Sequence, residues 1–123
     1  MDILERVTKQ ADQVEVMTTE SETTTVNFEA NKLKGSEVEE TQGIALRLVK
    51  DGRLGFSATS DLSAMDKLID NAIASADYGE AVPIEFPGSQ IGPDVTTYDP
   101  DVVNLPIPRM VEIGRQVVEL LTD

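Results

Sequence analysis

The dipeptide Asp51-Gly52 constrains this chain more than any other feature, because it interrupts two runs with β-type alternation, Gly43–Lys50 and Arg53–Ser60. Asp-Gly between such runs is a strong short-range signal for a β-hairpin. Two registers compete. A two-residue turn pairs Leu48 with Gly55 and Leu46 with Ser57, sets Phe56 opposite Arg47 and scatters apolar groups over both faces. A three-residue loop, Lys50-Asp51-Gly52 with Gly52 left-handed in a bulge, pairs Leu48 with Leu54, Leu46 with Phe56 and Ile44 with Ala58. The second gathers one apolar face and is the favoured reading. Its reverse face then shows Ala45, Arg47, Val49, Arg53, Gly55, Ser57 and Thr59, of which Arg47, Ser57 and Thr59 are candidates to face a partner or a peptide.

The flanking sequence extends the hairpin into a sheet. Val14, Val16 and Thr18 alternate with Glu15 and Met17, and Thr24, Val26 and Phe28 alternate with Thr25, Asn27 and Glu29, which predicts two strands. The Thr-rich run Glu20–Thr25 reads equally as turn or as strand. Ala30-Asn31-Lys32 reads as a turn leading into a further strand over Leu33–Thr41, whose Glu37, Glu39 and Glu40 suit a sheet edge. Ile3, Leu4, Val7 and Ala11 share a helical stripe within Asp2–Gln13. A second helix follows Asp61 and Ser63, either of which can cap it with Asp66 as a capping-box acid, and its stripe is Leu62, Met65, Leu68, Ile69, Ala72, Ile73 and Ala76.

From Asp77 to Ile107 the chain has no sustained period and holds five Pro and three Gly, so it reads as an arm draped over a surface through Ile84, Phe86 and Tyr98. Pro108 suits the first position of a last helix with Met110, Val111, Gly114, Val117, Val118 and Leu121 on one stripe. That helix, ending without a Gly cap, is expected to lead onward in a longer protein. The expected fold is therefore α+β: a mostly antiparallel sheet of four or five strands, helices on one face, a Pro-rich arm and a C-terminal helix. The expected divisions are an α+β domain over 1–78, an arm or linker over 79–107 and a helix over 108–123.

Composition narrows the chemistry. With 123 residues the chain supports one modest core. It has no Cys and no His, so thiol nucleophiles, imidazole bases and the usual zinc ligand sets cannot be built from it. Ten bases against 23 acids give a net charge of −13, which opposes phosphate backbones and anionic membranes. The excess is concentrated after residue 60, where 12 acids face three bases. Met1–Ala11 does not read as a signal peptide, no 18-residue apolar run occurs, and a cytoplasmic location is the expectation. Glu37, Glu39 and Glu40 lie in a solvated setting that would not raise one carboxyl selectively, and Asp99-Pro100-Asp101 lacks the spacing of a calcium loop.

The succession from Gly43 through Lys50-Asp51-Gly52-Arg53 and Gly55 to Ser57-Ala-Thr-Ser-Asp61-Leu-Ser63 precedes an Ala-rich helix and a Pro-rich arm with Tyr98-Asp99-Pro100. It resembles the N-terminal domain of the TldD/PmbA family, once labelled modulators of DNA gyrase, and Val26–Leu33 fits that family's opening. The likeness runs from about residue 10 to the end of the chain. The wording at Lys50–Arg53 and Ser57–Ser63 is closer to the PmbA (TldE) type.

The resemblance implies a two-component metallopeptidase. TldD-type subunits carry zinc in a C-terminal region, and PmbA-type subunits pair with them without the ligands. The dimeric assembly, homo- or heterodimeric, admits unfolded or extended peptides to a cleft. On this basis no catalytic residue and no cofactor is expected within this chain. Zinc would belong to the full-length protein or its partner subunit. Gly43, Asp51, Gly52, Arg53, Gly55, Asp61 and Ser63 take structural roles in the hairpin and at the helix start. The rival expectation is an acidic DNA mimic that binds a basic partner such as gyrase through Asp94, Asp99 and Asp101, without binding nucleic acid itself.

Overall fold

The structure, a computed structural model, describes residues 2–122. Its elements run α1 (Ile3–Val7), β1 (Gln13–Glu29), β2 (Lys32–Lys50), β3 (Arg53–Thr59), α2 (Met65–Ala76), α3 (Pro100–Val103) and α4 (Ile107–Leu121). The sheet is antiparallel with three strands in the order β1-β2-β3, rather than four or five. The number falls because neighbouring predicted strands are continuous: β1 runs for 17 residues straight through the Thr-rich segment, and β2 for 19. Both turns have two residues with positive φ, Ala30 (50°) and Asn31 (65°), then Asp51 (51°) and Gly52 (75°). Such turns match the twist of paired strands.

The bulged register is overturned. Lys50 pairs with Arg53, Leu48 with Gly55, Leu46 with Ser57 and Ile44 with Thr59, while Phe56 lies opposite Arg47. Leu46 and Leu48 therefore share a face with Gly55, Ser57 and Thr59, and Leu54, Phe56 and Ala58 share the reverse face with Ala45, Arg47 and Val49. The small residues on the helix side explain the choice. A Cβ on Gly55 would collide with the Ala72 carbonyl oxygen and sit 2.9 Å from the Ala76 Cβ, so a bare backbone here lets α2 lie against β3.

The chain folds as two compact units. The first comprises the chain up to Ser21 together with Thr41–Ile91. Its core is Val7 from α1, Leu46 and Leu48 from β2, and Leu68, Ile69, Ala72 and Ala76 from α2, with Ile3, Val14, Val16, Ile44, Met65 and Ile73 packed around them. The core residues of both helices thus join one sheet face, and Arg6 of α1 forms an ion pair with Asp66 of α2. The helix starts differ from expectation. α1 stops at Val7, with Asp2 as its N-cap. Ala64 is the N-cap of α2 without a side-chain bond, while Asp61 closes a turn upstream by accepting from Ser63 N–H (3.0 Å) and Ser63 Oγ (2.6 Å).

Between α2 and α3 the described chain forms no helix or strand beyond a single bridge, Arg53 to Ala81. At that bridge Leu54 N–H donates to the Glu80 carbonyl (3.1 Å), and Val82 N–H donates to the Gly52 carbonyl (3.0 Å).

The second unit comprises Glu22–Glu40 and the chain from Gly92 onward. It contains the tip of the β1-β2 hairpin, α3 and α4. Asp99 caps α3 by accepting from Asp101 N–H (2.9 Å), and α4 begins one residue earlier than expected, with Pro106 as N-cap and Pro108 inside its first turn. Ile107, Met110, Val111, Gly114 and Val118 form the half-buried stripe of α4, and Phe28 of β1 lies against Gly114.

Candidate functional site

Strand alternation places the residues proposed to meet a partner on two different faces. Ser57 and Thr59 lie on the α2 side of β3, and Arg47 lies on the reverse side of β2. The single set imagined from the bulged register is therefore two settings, each with its own chemistry.

On the reverse face Arg47 is a hub. Its guanidinium donates to Glu15 of β1, with oxygens at 2.9 and 3.1 Å, and stacks 4.8 Å from the centre of the Phe86 ring. That combination holds the planar head between a carboxylate and an aromatic face. Arg47 Nε is buried without a hydrogen-bond partner among the described residues. The ring is brought there by Gln13, whose carboxamide donates to the Ile84 carbonyl (2.8 Å) and accepts from Phe86 N–H (2.6 Å). Gln13 thus satisfies one backbone acceptor and one backbone donor of the segment from Ile84 to Phe86, as a neighbouring strand would. Sequence reasoning missed Gln13; the only signal was the anchor Phe86 between two prolines. Arg53 fastens the same segment from the β3 side by donating to the Gly79 carbonyl (2.8 Å).

On the other side of β3, Ser57, Thr59 and Asp61, with Ala58 at the strand edge, line a groove of about 300 Å³ together with Ala64, Lys67, Leu68 and Asn71 of the α2 region. The Ser63 hydroxyl and then its N–H hold the Asp61 carboxyl below the usual value of 3.8. Gly43 lies between β1 and β3: a Cβ there would be 3.3 Å from Thr19 Oγ1 and 3.6 Å from the Thr59 carbonyl. Asp51 and Gly52 form the turn itself.

Among the described residues there is no group of three or more acidic, His or Cys side chains that could hold a metal ion, so a zinc site does not fit this chain's own residues. No helix is long and apolar enough to cross a membrane.

Comparison with known proteins gives the fold a family. No curated protein matches the sequence. TldE from Thermococcus kodakarensis superposes with a TM-score of 0.72 at 18% identity, covering 97% of this chain and 29% of that one. A proposed modulator of a DNA gyrase from Thermotoga maritima (TM0727) gives 0.71 at 16% identity, covering 93% and 27%. The chain thus spans under a third of the length of these two solved proteins. The family model described as PmbA/TldA metallopeptidase domain 1 matches residues 14–76, from the start of β1 to the end of α2. With over half of its length matched by that model, the chain belongs to the PmbA/TldD family and carries the family's first domain.

Proposed function

We propose that this chain is the non-catalytic first domain of a PmbA/TldD-type metallopeptidase, of the PmbA (TldE) kind, which shapes the peptide cleft or the subunit interface of an assembly that cleaves unfolded or extended peptides. The supporting observation is the match of the metallopeptidase domain 1 model to a sheet-and-helix unit without a metal-ligating cluster among its described residues. In this reading zinc and its ligands come from other polypeptide, either further sequence or a homologous partner subunit, and the assembly works in the cytoplasm. The domain contributes a rigid sheet, sealed by helices on one face and held on the other by the Arg47–Phe86 stack.

The test is proteolysis of casein-like unfolded substrate by the purified 123-residue chain and by the chain mixed with a zinc-bearing family subunit. The chain alone with added Zn²⁺ is expected to cleave nothing, and the mixed assembly to cleave. Hydrolysis by a homogeneous preparation of the chain alone overturns the proposal, as does an assembly whose activity is indifferent to this domain.

A further inference from the structure

We propose that the outer edge of β3 from Phe56 to Thr59 is a docking strand for an extended cationic peptide, which adds there as a fourth strand. The inference rests on the reading above only for the class of ligand; its geometry is independent.

The pairing with β2 makes Arg53, Gly55, Ser57 and Thr59 the residues whose backbone groups bond inward, because Lys50 and Arg53 close a two-residue turn. Leu54, Phe56 and Ala58 must then point their N–H and C=O groups away from β2. Two of these outward donors are already engaged: Leu54 N–H donates to the Glu80 carbonyl, and Phe56 N–H to Ser75 Oγ (3.1 Å). Ala58 has no such partner among the described residues and is exposed. The edge therefore begins closed and ends open.

The two edges of the sheet are also guarded differently. β1 carries Glu15, Glu20, Glu22 and Glu29 along its length, the charged composition that deters strand addition. β3 has no charged residue and no proline after Arg53. An edge left with free backbone groups and without charges or proline is a template for another extended chain.

The groove between β3 and α2 can receive alternate side chains of such a strand, with Leu68 as its apolar floor. Lys67 and Asp61 at its walls balance each other, so the sign of the preferred peptide is set by the whole-molecule charge of −13. Such a field attracts cations and speeds their encounter.

The experiment is an amide NMR titration of the 123-residue chain with a capped hexapeptide alternating valine and lysine, and with its valine–glutamate counterpart. The lysine peptide is expected to shift the amides of Phe56 to Ser60 and the Asn71 side chain, and to slow exchange of the Ala58 amide. The glutamate peptide is expected to bind more weakly. Ala58→Pro deletes the outward donor while leaving the bonds to β2 intact, and should weaken binding about tenfold. Ala58→Lys puts a repelling charge on the same edge without touching the backbone, and should also weaken binding, so it decides the matter if the proline variant does not fold. Absence of shifts at this edge, or binding indifferent to both variants, overturns the proposal. Failure here with an active mixed assembly leaves the domain's proposed role standing, whereas binding here with an inactive assembly removes that role and keeps the docking strand.

Discussion

The two compact units are built from similar parts, paired β-strands covered by amphipathic helix, yet they bury very different amounts. Among the described residues every buried hydrophobic one, from Val7 through Leu46, Leu48, Val49, Leu68, Ile69 and Ala72 to Ala76, belongs to the unit at the hairpin base. Among the described residues of the other unit none is buried, and α4 leaves Val117 47%, Leu120 81% and Leu121 79% exposed. The apolar stripe of α4 is as regular as that of α2. What differs is the opposing surface: a three-stranded sheet with aliphatic residues pointing at the helix in one case, and a two-stranded hairpin tip, with Phe28 against Gly114, in the other. A stripe specifies which side of a helix will be covered, but burial depends on how much apolar surface it meets.

The largest expected effect tests that contrast directly. Leu46→Ala removes a side chain with no exposed surface and should cost about 2–5 kcal/mol in denaturant unfolding. The equivalent cut at Phe28, which is only half-buried, should cost less than half as much. Equal losses would erase the distinction between the units.

A pair of glycines sharpens it. Gly55→Ala drives a methyl group against the backbone carbonyl of Ala72, which can yield only if α2 moves, and a loss of about 1–3 kcal/mol is expected. Gly114→Ala presses on the Phe28 ring, a side chain free to rotate away, so a loss below about 1 kcal/mol is expected from the same measurement. The reverse ranking would mean that the hairpin tip is the more rigidly packed region.

The next effect has the opposite sign. Ala30 holds φ at 50° in an exposed turn, a region costly for a residue with a Cβ, and Ala30→Gly should stabilise the protein by about 0.5 kcal/mol. No gain in the unfolding midpoint would show that Ala30 is not under strain.

The smallest effect lies in the pH dependence at Asp61. Its carboxyl is depressed in the folded chain by Ser63, so the folded state binds that proton less readily than the unfolded state does. Its contribution is therefore present above the ordinary value of 3.8 and fades as pH falls through the lower folded value. The small stability difference between the parent and Asp61→Asn, measured by thermal unfolding, should shrink on acidification below 3.8; a difference unchanged there would remove the assigned bond from the folded state.

Much of the fold was legible because local chemistry and burial agree in it. Asp51-Gly52 announced its hairpin, and the stripes of α1 and α2 supplied Val7, Leu68, Ile69, Ala72 and Ala76 to the core while Leu4 and Leu62 on the same stripes stay exposed, since positive φ tolerance and helical spacing are properties of short segments. The Thr-rich run was ambiguous because most of it, Glu20 to Thr23, is exposed on both faces, so no buried side imposes alternation there. The register was misread for a related reason. One covered face was assumed, but the helices cover one side while the segment carrying Phe86 reaches the other at Arg47, and apolar residues such as Leu54 and Val49 can point either way. The clasp by Gln13 was invisible, because its partners are 71 and 73 residues away and are backbone groups, which leave no mark in residue type.

By itself, then, the sequence determined the Asp51-Gly52 hairpin, the helical nature of α1, α2 and α4, though not the short α3 or the end of α1 at Val7, the absence of imidazole and thiol groups, and the likeness to a family that the domain model bears out. Tertiary structure alone decided that five short strands become three, that Arg47 parts company with Ser57 and Thr59, and that Ala58 on the edge of β3 has no hydrogen-bond partner among the described residues. The reason is physical: turn preference and periodicity act within a few residues, whereas register, face and edge are settled by what another part of the chain brings against them.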